Sequence, residues 1–471
     1  MLENERSRKP ILPHPRNVMK GQRVQKQILI GNYHLNIQHL SKALFLCGLL
    51  AVAGGCATTD RQAQAGLDRA DISSPGFFPI LPWDAYHGWG QPWIEERKHG
   101  LESIAECHFN MAGFVLPKDL PLCRKTGLGA IMLPSDAAFT KARYFRDWKN
   151  LSDQQIERRV KDMIAASGSN PAVKGYFIMD EPGASDFPAL AKAVAAVKRY
   201  APGKLAYINL YPDYAILGAS DTSQLGTATY AEYLERFVRE VKPQLISYDN
   251  YMVQYSMDFQ NRATAASYYI NLLEIRRVAQ EHQLPCLNIV AANQIRPEKT
   301  VPSPANLLFQ AYTTLAAGYR GVTWYTYFGD SYHYAPITKS GEKTLTWGYL
   351  QEVNRQVATL APVMSCLTST GVFFSAPPVA DHLPLLPGNL IESVTCPSPV
   401  MVGEFQHQNG ERYAMVVNLS LEESAPFTLK TKIPGQSLGV VSAVDGSVSA
   451  FDSKAGLWLT AGQGVLLALG K

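Results

Sequence analysis

The stretch GYFIMDEPG at residues 175–183 constrains the possible folds of this chain more than any other part of the sequence. Its apolar run is short and unbroken, which is typical of a strand covered on both faces. The run ends on Asp180, Glu181 and Pro182, and a proline cannot donate a further ladder hydrogen bond. The pattern predicts a buried strand whose carboxyl end presents two carboxylates to solvent.

The same two acids could instead belong to the start of the following helix, because acidic side chains favour helix N-termini. Asp186, however, directly precedes the helical run FPALAKAVAAVKRY and is better placed to cap it. We therefore interpret Asp180 and Glu181 as functional carboxylates at the end of a strand.

Strand-like apolar runs alternate with runs of helical periodicity eight times within residues 76–362. This number and the length of the segment predict an α/β domain, a (β/α)₈ TIM barrel, whose fourth strand lies in residues 175–183. The alternative is a doubly wound parallel sheet, but no glycine-rich phosphate loop follows any of the strands. In a barrel of this type, the carboxyl ends of the strands carry the chemistry.

Beyond Pro362 the pattern changes to short alternating runs, such as those at 401–405 and 413–418. Runs of this kind indicate antiparallel strands. We expect residues 363–471 to form a small C-terminal antiparallel β-sandwich that follows the barrel domain of residues 76–362.

The amino-terminal segment carries most of the basic charge. Residues 1–55 contain eight Lys and Arg and two acids, a local charge of +6 in a chain of +4, which leaves the remainder at −2. The apolar run ALFLCGLLAVAGG then leads to Cys56, and it is too short to span a membrane. This arrangement resembles a bacterial lipoprotein signal; an ordinary secretory signal is the alternative. We expect a signal and N-terminal extension at 1–55, a tether at 56–75, lipidation of Cys56, and export to the outer membrane or the periplasm-facing cell envelope.

The near-neutral remainder has no basic stripe, which argues against nucleic acid as a partner. After Cys56, the cysteines at 107, 123, 286, 366 and 396 have the spacing of neither a metal site nor a disulfide framework. We therefore predict no metal and no cofactor. The expected partners are a carbohydrate, for the reasons that follow, and the membrane through a lipid anchor.

Polar and aromatic side chains cluster at the predicted carboxyl ends of the strands. Besides Asp180 and Glu181, they are Trp83, Asp84, Asp136, Tyr211, Asp249, Tyr251, Asn293, Gln294, Trp324 and Tyr327. Aromatic faces stack on the apolar faces of sugar rings, while carboxylates and amides hydrogen-bond to ring hydroxyls. Each aromatic residue alone could be ordinary packing, but the cluster as a whole predicts a carbohydrate site.

The DEP sequence at the end of the fourth strand resembles the Asn-Glu-Pro motif of clan A glycoside hydrolases. The resemblance implies that Glu181 is the general acid/base and that Trp324, at the end of the eighth strand, is a sugar platform. The chain departs from the clan pattern in two ways. Asp180 replaces the asparagine, and Asn293 and Gln294 follow the seventh strand where the clan has a nucleophilic glutamate.

Three mechanisms remain open at this stage. Asp249 could activate water for inversion, with Glu181 as the acid; inverting carboxyl pairs are roughly 6.5–9.5 Å apart and retaining pairs about 5–5.5 Å. The Asp180-Glu181 pair also resembles substrate-assisted hexosaminidases, in which the acetamido group of the substrate attacks. Glu298, further into the loop after strand seven, is a third candidate for the nucleophile. We expect a glycoside hydrolase; the competing interpretation is a non-catalytic carbohydrate-binding lipoprotein, because the acid after strand seven is missing.

Overall fold

The computed structural model describes residues 76–88, 94, 97–133, 147–216, 224–254, 262–297, 299–329 and 332–470. All of these residues belong to one compact unit, Thr58–Lys471. The predicted signal, tether and lipidation site at Cys56 lie outside the described residues, as does Asp136. Within the described ranges, no helix is both long enough and apolar enough to cross a membrane.

Eight parallel strands form one sheet in the order β1-β8-β7-β6-β5-β4-β3-β2. Their bounds are β1 Ile80–Pro82, β2 Met111–Val115, β3 Gly129–Met132, β4 Val173–Asp180, β5 Leu205–Leu210, β6 Ile246–Asp249, β7 Cys286–Ala291 and β8 Val322–Tyr325. Strand β1 pairs with β8, and the residues after β1 also contact β2 at the opposite end of this order, so the sheet curves into a nearly closed barrel. The predicted barrel class is confirmed.

The barrel closes between β1 and β2 through a few backbone hydrogen bonds. Phe114 N donates to Asp84 O at 2.8 Å, and Tyr86 N donates to Phe114 O at 2.9 Å. The two segments approach so closely that a Cβ atom on Gly113 would lie 2.4 Å from the carbonyl oxygen of Asp84. Glycine is therefore required at this position, because any side chain would collide with the backbone.

Helices follow the strands along the chain and surround them. They are α1 Gly100–Glu106, α2 Leu120–Lys125, α3 Asp153–Ser167, α4 Phe187–Tyr200, α5 Tyr230–Arg236, α6 Arg262–Glu281, α7 Pro304–Ala316 and α8 Leu345–Met364. Helix α5 continues directly into a π-helix, Phe237–Val241. Strand residues that face outward join the large core shared with the helices, whereas those that face inward form a separate core inside the barrel.

The start of α4 corrects one expectation. Asp186 precedes the helix, but its side chain accepts no hydrogen bond from a backbone N–H of the first turn. The residue ends a 3₁₀ turn, Ala184–Asp186, and its buried carboxylate lies 3.4 Å from Lys149 Nζ. The prediction that Asp186 caps α4 is therefore wrong, because the 3₁₀ turn gives Asp186 a helical backbone in place of the extended one that a capping residue needs.

The chain continues beyond α8 as antiparallel strands. These are β11 Leu367–Phe374, β12 Ile391–Thr395, β13 Val400–His407, β14 Arg412–Asn418, β15 Ala425–Thr431, β16 Leu438–Val441, β17 Val448–Ala450, β18 Leu457–Leu459 and β19 Gly464–Leu469. A separate short pair, β9 Phe328–Gly329 and β10 Ile337–Thr338, lies between β8 and α8. Strands β11 to β19 form a six-stranded sheet, β11-β13-β14-β19-β16-β17, and a three-stranded sheet, β12-β15-β18. Apolar residues of both sheets share one core.

Helix α7 joins the barrel to the six-stranded sheet. Its residues from Phe309 to Ala316 are all buried. On the sheet side, Gly403 of β13 lies so close that a Cβ atom would be 2.0 Å from the carbonyl oxygen of Ala316. The barrel and the six-stranded sheet therefore touch through backbone as well as side chains.

Candidate active site

A β-bulge in β4 decides which acid of the DEP motif faces the barrel interior. Phe177 packs in the interior core, whereas Met179 packs among the helices. In a regular strand these two residues would share a face. A register shift between them makes Ile178 an extra residue, so that Asp180 returns to the interior side and pairs with Asn209 of β5.

Asn209 joins carboxylates that arrive from two different strands. Its Nδ2 donates to Asp180 Oδ1 at 3.1 Å and to Asp249 Oδ1 at 2.9 Å. Because one nitrogen atom contacts both, these distances limit the separation of the two Oδ1 atoms to 6.0 Å. Asn209 Oδ1 accepts a hydrogen bond from Ser247 Oγ at 3.0 Å, which fixes the orientation of the amide.

Asp249 is the most buried acid of this cluster, with 3% of its surface exposed, whereas Asp180 and Glu181 are partly exposed. Burial raises the pKa of Asp249 well above its usual range, and the neighbouring carboxyls of Glu181 and Asp180 raise it further. The hydrogen bond from Asn209 opposes this shift. Asp249 therefore keeps its proton to higher pH than an isolated aspartate would.

Glu181 has an unusual backbone conformation. Its φ is +48°, in the left-handed region that few residues other than glycine adopt. Two hydrogen bonds hold the turn: Glu181 N donates to Asn209 O at 2.9 Å, and Tyr233 Oη donates to Pro182 O at 2.7 Å. The chain thus leaves the direction of β4 at the residue that carries the second carboxylate.

Four partly buried tyrosines lie beside the acids and form what we call the tyrosine wall: Tyr214, Tyr251, Tyr325 and Tyr332. Tyr251 and Tyr325 stack with ring centroids 5.5 Å apart and an interplanar angle of 30°. Tyr325 Oη and Tyr332 Oη share a hydrogen bond of 2.8 Å, and Tyr251 N donates to Tyr214 Oη at 3.4 Å. Burial raises the pKa of both Tyr251 and Tyr325, so the stacked rings stay neutral near physiological pH.

Helix α6 fixes the loops that carry this wall. Asn271 Oδ1 accepts from Asp213 N at 3.3 Å and from Asn250 Nδ2 at 3.0 Å, which ties the loop after β5 to the end of β6. Ser267 Oγ donates to Asp213 Oδ1 at 3.0 Å. Burial raises the pKa of Asp213 to about 6.

The structure corrects the expectation for Trp324 and Tyr327. The indole of Trp324 is fully buried among the helices, where its Nε1 donates to Asn354 Oδ1 of α8 at 2.8 Å. Tyr327 is also fully buried, and its Oη donates to Ser103 Oγ at 2.9 Å. Neither can be a sugar platform in this arrangement. Alternation along β8 places Tyr325, the residue directly after Trp324, on the side of the acids.

Trp83 and Asp84 are also internal. Trp83 is 2% exposed and packs edge to face against Phe114, with centroids 4.6 Å apart, inside the barrel. Asp84 is 4% exposed, and its Oδ2 accepts from Tyr327 N at 2.6 Å and from Phe328 N at 2.9 Å. The structure corrects both predicted sugar contacts: Trp83 fills the barrel, and Asp84 anchors the segment after β8.

The remaining predicted contacts are buried at the barrel rim. Gln294 donates through Nε2 to Lys299 O at 2.6 Å and to Pro297 O at 3.2 Å, so it braces its own loop and does not reach toward a ligand. Asn293 is fully buried after β7. Tyr211, which is 8% exposed, follows β5, and its carbonyl oxygen accepts from Tyr230 Oη at 2.9 Å.

Within the described residues, the segment that directly follows β7 carries no carboxylate, because it reads Ala292, Asn293, Gln294. Glu298, the nearest acid in the sequence, lies outside the described residues. Among the histidine, cysteine and acidic side chains that the structure describes, no group of three or more could hold a metal ion.

Sequence reasoning missed Asn209 and undervalued the tyrosine wall. The signal for Asn209 was present in the run LAYINL, where period-two alternation puts Tyr207 and Asn209 on the same face. The same alternation would have selected Tyr325 instead of Trp324. Nothing local in the sequence marks Tyr214 or Tyr332, which reach the site from loops.

No protein-family model matches this chain, and no curated protein matches it in sequence. Solved structures with a similar fold include a GH42 β-galactosidase from G. stearothermophilus, with a TM-score of 0.55 and 9% identity over 84% of this chain and 98% of that chain. A glycoside hydrolase family 5 protein from Bacteroides vulgatus matches with a TM-score of 0.47 and 12% identity over 84% of this chain and 90% of that chain.

A β-glucuronidase from Ruminococcus gnavus matches 59% of this chain with a TM-score of 0.41 and 10% identity, and this chain spans about half of its length, 50%. At these identities the similarity concerns the fold alone, and it rests on the GH42 structure. The chain therefore has a barrel fold similar to that of this GH42 structure, with carboxylates at the carboxyl ends of β4 and β6.

Proposed function

We propose that this protein is a glycoside hydrolase that cleaves an oligo- or polysaccharide, with Glu181 as the general acid/base. One observation carries the proposal: Asp180, Glu181 and Asp249 lie close enough at the carboxyl ends of β4 and β6, beside stacked tyrosines, for the first two to raise the pKa of the third. Glycoside hydrolysis needs one protonated and one ionised carboxyl within reach of the same bond. A cluster in which like charges oppose full ionisation keeps one carboxyl protonated to higher pH than a separate carboxyl would be.

In this scheme each group of the cluster has a distinct part. Glu181, partly exposed after the turn, protonates the leaving oxygen. Asp249, which is more buried, is protonated when Glu181 is ionised. When Glu181 is protonated, Asp249 is ionised. Asn209 is a positioning residue, because it contacts the two aspartates. Tyr251 and Tyr325 offer an aromatic edge for a sugar ring.

The residue that attacks or activates water remains open among the same three routes. Asp249 as a water-activating base predicts inversion, and an Asp180-assisted acetamido attack predicts retention on N-acetylated sugars alone. A loop acid such as Glu298 as nucleophile predicts retention on neutral sugars. Proton NMR of the first-formed product separates these cases, because it reports the anomer before mutarotation.

A non-catalytic sugar-binding protein is the second candidate. The absence of a carboxylate from the described residues directly after β7, at the place of the clan's nucleophile, favours it. A screen of aryl glycosides and polysaccharides, scored for both binding and hydrolysis, distinguishes the two functions. Binding without turnover on every substrate would support this candidate and reject the enzyme.

The deciding variants are Glu181→Gln and Asp249→Asn, with Glu102→Gln on α1 as an exposed control. We expect Glu181→Gln to lower kcat by about 10²–10⁴-fold with binding retained, because the proton is lost and the shape is kept. Asp249→Asn removes a like charge, so the basic limb of the pH–rate profile should move to lower pH. Near-full turnover by Glu181→Gln on an unactivated substrate would reject the assignment.

We further propose that residues 1–55 are a lipoprotein signal with an N-terminal extension, that Cys56 is lipidated, and that 56–75 tether the protein to the cell envelope, facing the periplasm or on the outer membrane. The barrel domain is assigned to 76–362 and the two antiparallel sheets to a β-sandwich of 363–471. The support for the anchor is the apolar run before Cys56. Labelling with a lipid precursor tests it: Cys56→Ala should abolish the label, and persistent labelling would contradict the anchor.

A further inference from the structure

A cleft of about 580 Å³ lies at the amino-terminal ends of the barrel strands, opposite the acid cluster, where helix α6 and the segment before β8 meet β11. Its volume is that of a small-molecule site. The polar side chains that line it include Arg276, Gln280, Gln283, Arg320, Thr368 and Ser369. Among the described residues that line this cleft none is acidic, and the charged groups there are the two guanidinium groups.

Neither arginine has a carboxylate partner among the described residues. Arg276 donates through Nε and Nη2 to a single acceptor, Ser369 Oγ, at 3.1 and 2.9 Å. Arg320 donates through Nη1 to Ser365 O. A guanidinium has five N–H donors, so several on each side chain remain for a ligand.

Two of the groups that act electrostatically on these arginines, Cys286 and Tyr319, are uncharged at physiological pH. Cys286 lies near both, and burial raises the pKa of its thiol to about 12, so it is uncharged at physiological pH. Tyr319, near Arg276, is neutral as well, because burial raises its pKa. Burial lowers the pKa of Arg276 and of Arg320, which is the direction expected for a charge that is partly removed from water.

We propose that this cleft binds a small molecule through an oxyanion, either the carboxylate of a sugar acid or a phosphate. Guanidinium forks bind both groups through paired, charge-assisted hydrogen bonds. The amides of Gln280 and Gln283 and the hydroxyl of Thr368 provide partners for ligand hydroxyls. The site is independent of the acid cluster, and its test does not involve hydrolysis.

The test is calorimetric titration of the purified protein at constant ionic strength with inorganic phosphate, galacturonate and, as a neutral control, galactose. Phosphate or galacturonate should bind and galactose should not; whichever anion binds more tightly identifies the source of the oxyanion. Arg276→Gln and Arg320→Gln should each weaken binding at least about tenfold. Arg277→Gln is the matched control, because it lies on the same helix, outside the cleft, and pairs with Glu281.

A variant that leaves both arginines in place guards against misfolding. Gln283→Glu adds a carboxylate to the cleft, so it should raise the melting temperature in anion-free buffer and weaken anion binding about tenfold. The proposal is overturned if wild-type protein binds neither anion, if both arginine variants bind as wild type does, or if Arg277→Gln loses binding equally.

Discussion

Asn209 places one amide between two carboxylates, which makes it the most informative residue to change in the site. Asn209→Ala removes a donor that favours the ionised forms, so the pKa values of the cluster should rise and the basic limb of the pH–rate profile should move to higher pH. This is the opposite of the shift expected for Asp249→Asn. We also expect kcat/KM to fall about 10–100-fold, the value of a hydrogen bond to a charged group.

Asn288→Ala is the matched control for that experiment. Asn288 is a buried asparagine on β7 whose Nδ2 donates to Thr314 Oγ1 at 3.0 Å, in the helix layer and away from the acids. It should lower stability and leave the pH–rate profile unchanged. If both variants leave the profile unchanged, Asn209 does not tune the cluster.

At the scale of single residues, the sequence predicted which acids lie at the strand ends but placed several aromatic residues on the wrong side of their strands. Asp180, Glu181 and Asp249 were found because each stands where an apolar strand ends, and the structure brings them together. Trp324 was chosen over Tyr325 because resemblance to a known motif outweighed the alternation of the strand. The bulge at Ile178 could not be predicted, since the run YFIMD contains no glycine or other sign of an irregularity.

Strand β8 has two faces, and they predict two different phenotypes. Tyr325→Ala removes the ring that stacks on Tyr251, so sugar affinity should fall, by about tenfold if one aromatic contact is lost. Trp324→Phe removes the hydrogen bond to Asn354, so it should lower stability and leave affinity unchanged. Sugar titrations and urea denaturation of both variants check the prediction; a loss of affinity in Trp324→Phe alone would reverse the assignment.

The loop after β5 contains a carboxyl whose titration should be visible in stability. Because the pKa of Asp213 is about 6 in the folded protein, against 3.8 for an ordinary aspartate, folding favours the protonated form. The stability that Asp213 contributes is present below about pH 4 and is lost as the pH rises to about 6. Asp213→Asn should therefore gain stability relative to wild type over that interval and keep the gain above it.

Urea denaturation of wild type and Asp213→Asn at several pH values between 4 and 8 measures this difference. Asp445→Asn provides the contrast, because backbone and side-chain hydrogen bonds lower the pKa of that fully exposed carboxyl. A stability difference for Asp213→Asn that does not change with pH would show that the burial of this carboxyl has no energetic consequence.

Elements were more predictable than side chains. Strand and helix positions follow from the apolar runs. Ser152 and Ser303 each precede a helix and accept a hydrogen bond from a backbone N–H of its first turn. Helical periodicity in the sequence begins near Ile94, whereas α1 begins at Gly100. Periodicity cannot fix such a boundary, because His99, at the N-cap of α1, makes no side-chain capping hydrogen bond.

We predict opposite effects on stability for two glycine substitutions, one at the contact between the barrel and the six-stranded sheet and one on an exposed helix face. Gly403→Ala forces a Cβ atom against the backbone of Ala316, so it should destabilise the protein by about 1–3 kcal/mol or more. Gly348→Ala, on the exposed face of α8 with no atom within 4 Å of the new Cβ, should stabilise it by about 0.5–1 kcal/mol. Urea denaturation gives both values, and equal effects would contradict the close approach at Gly403.

For the molecule as a whole, the barrel could be predicted from the eightfold alternation of strands and helices, whereas its contact with the antiparallel sheets could not. Domain boundaries predicted from composition assume that a change of pattern near Pro362 marks a physical division. Helix α8 runs through that proline to Met364, and β11 begins at Leu367. The contact at Gly403 depends on a backbone approach between residues distant in sequence, which local patterns do not encode.

The burial of α7 from Phe309 to Ala316 has a consequence for how such a protein can change over evolutionary time. A barrel helix normally keeps one polar face toward water. Because that face needs no other domain to cover it, the barrel can be duplicated, fused or lost as an independent domain. Here the run from Phe309 to Ala316 has no such face, because the six-stranded sheet covers it. A gene that lost the sheets would expose this helix, so the barrel and its sheets should be inherited together or not at all.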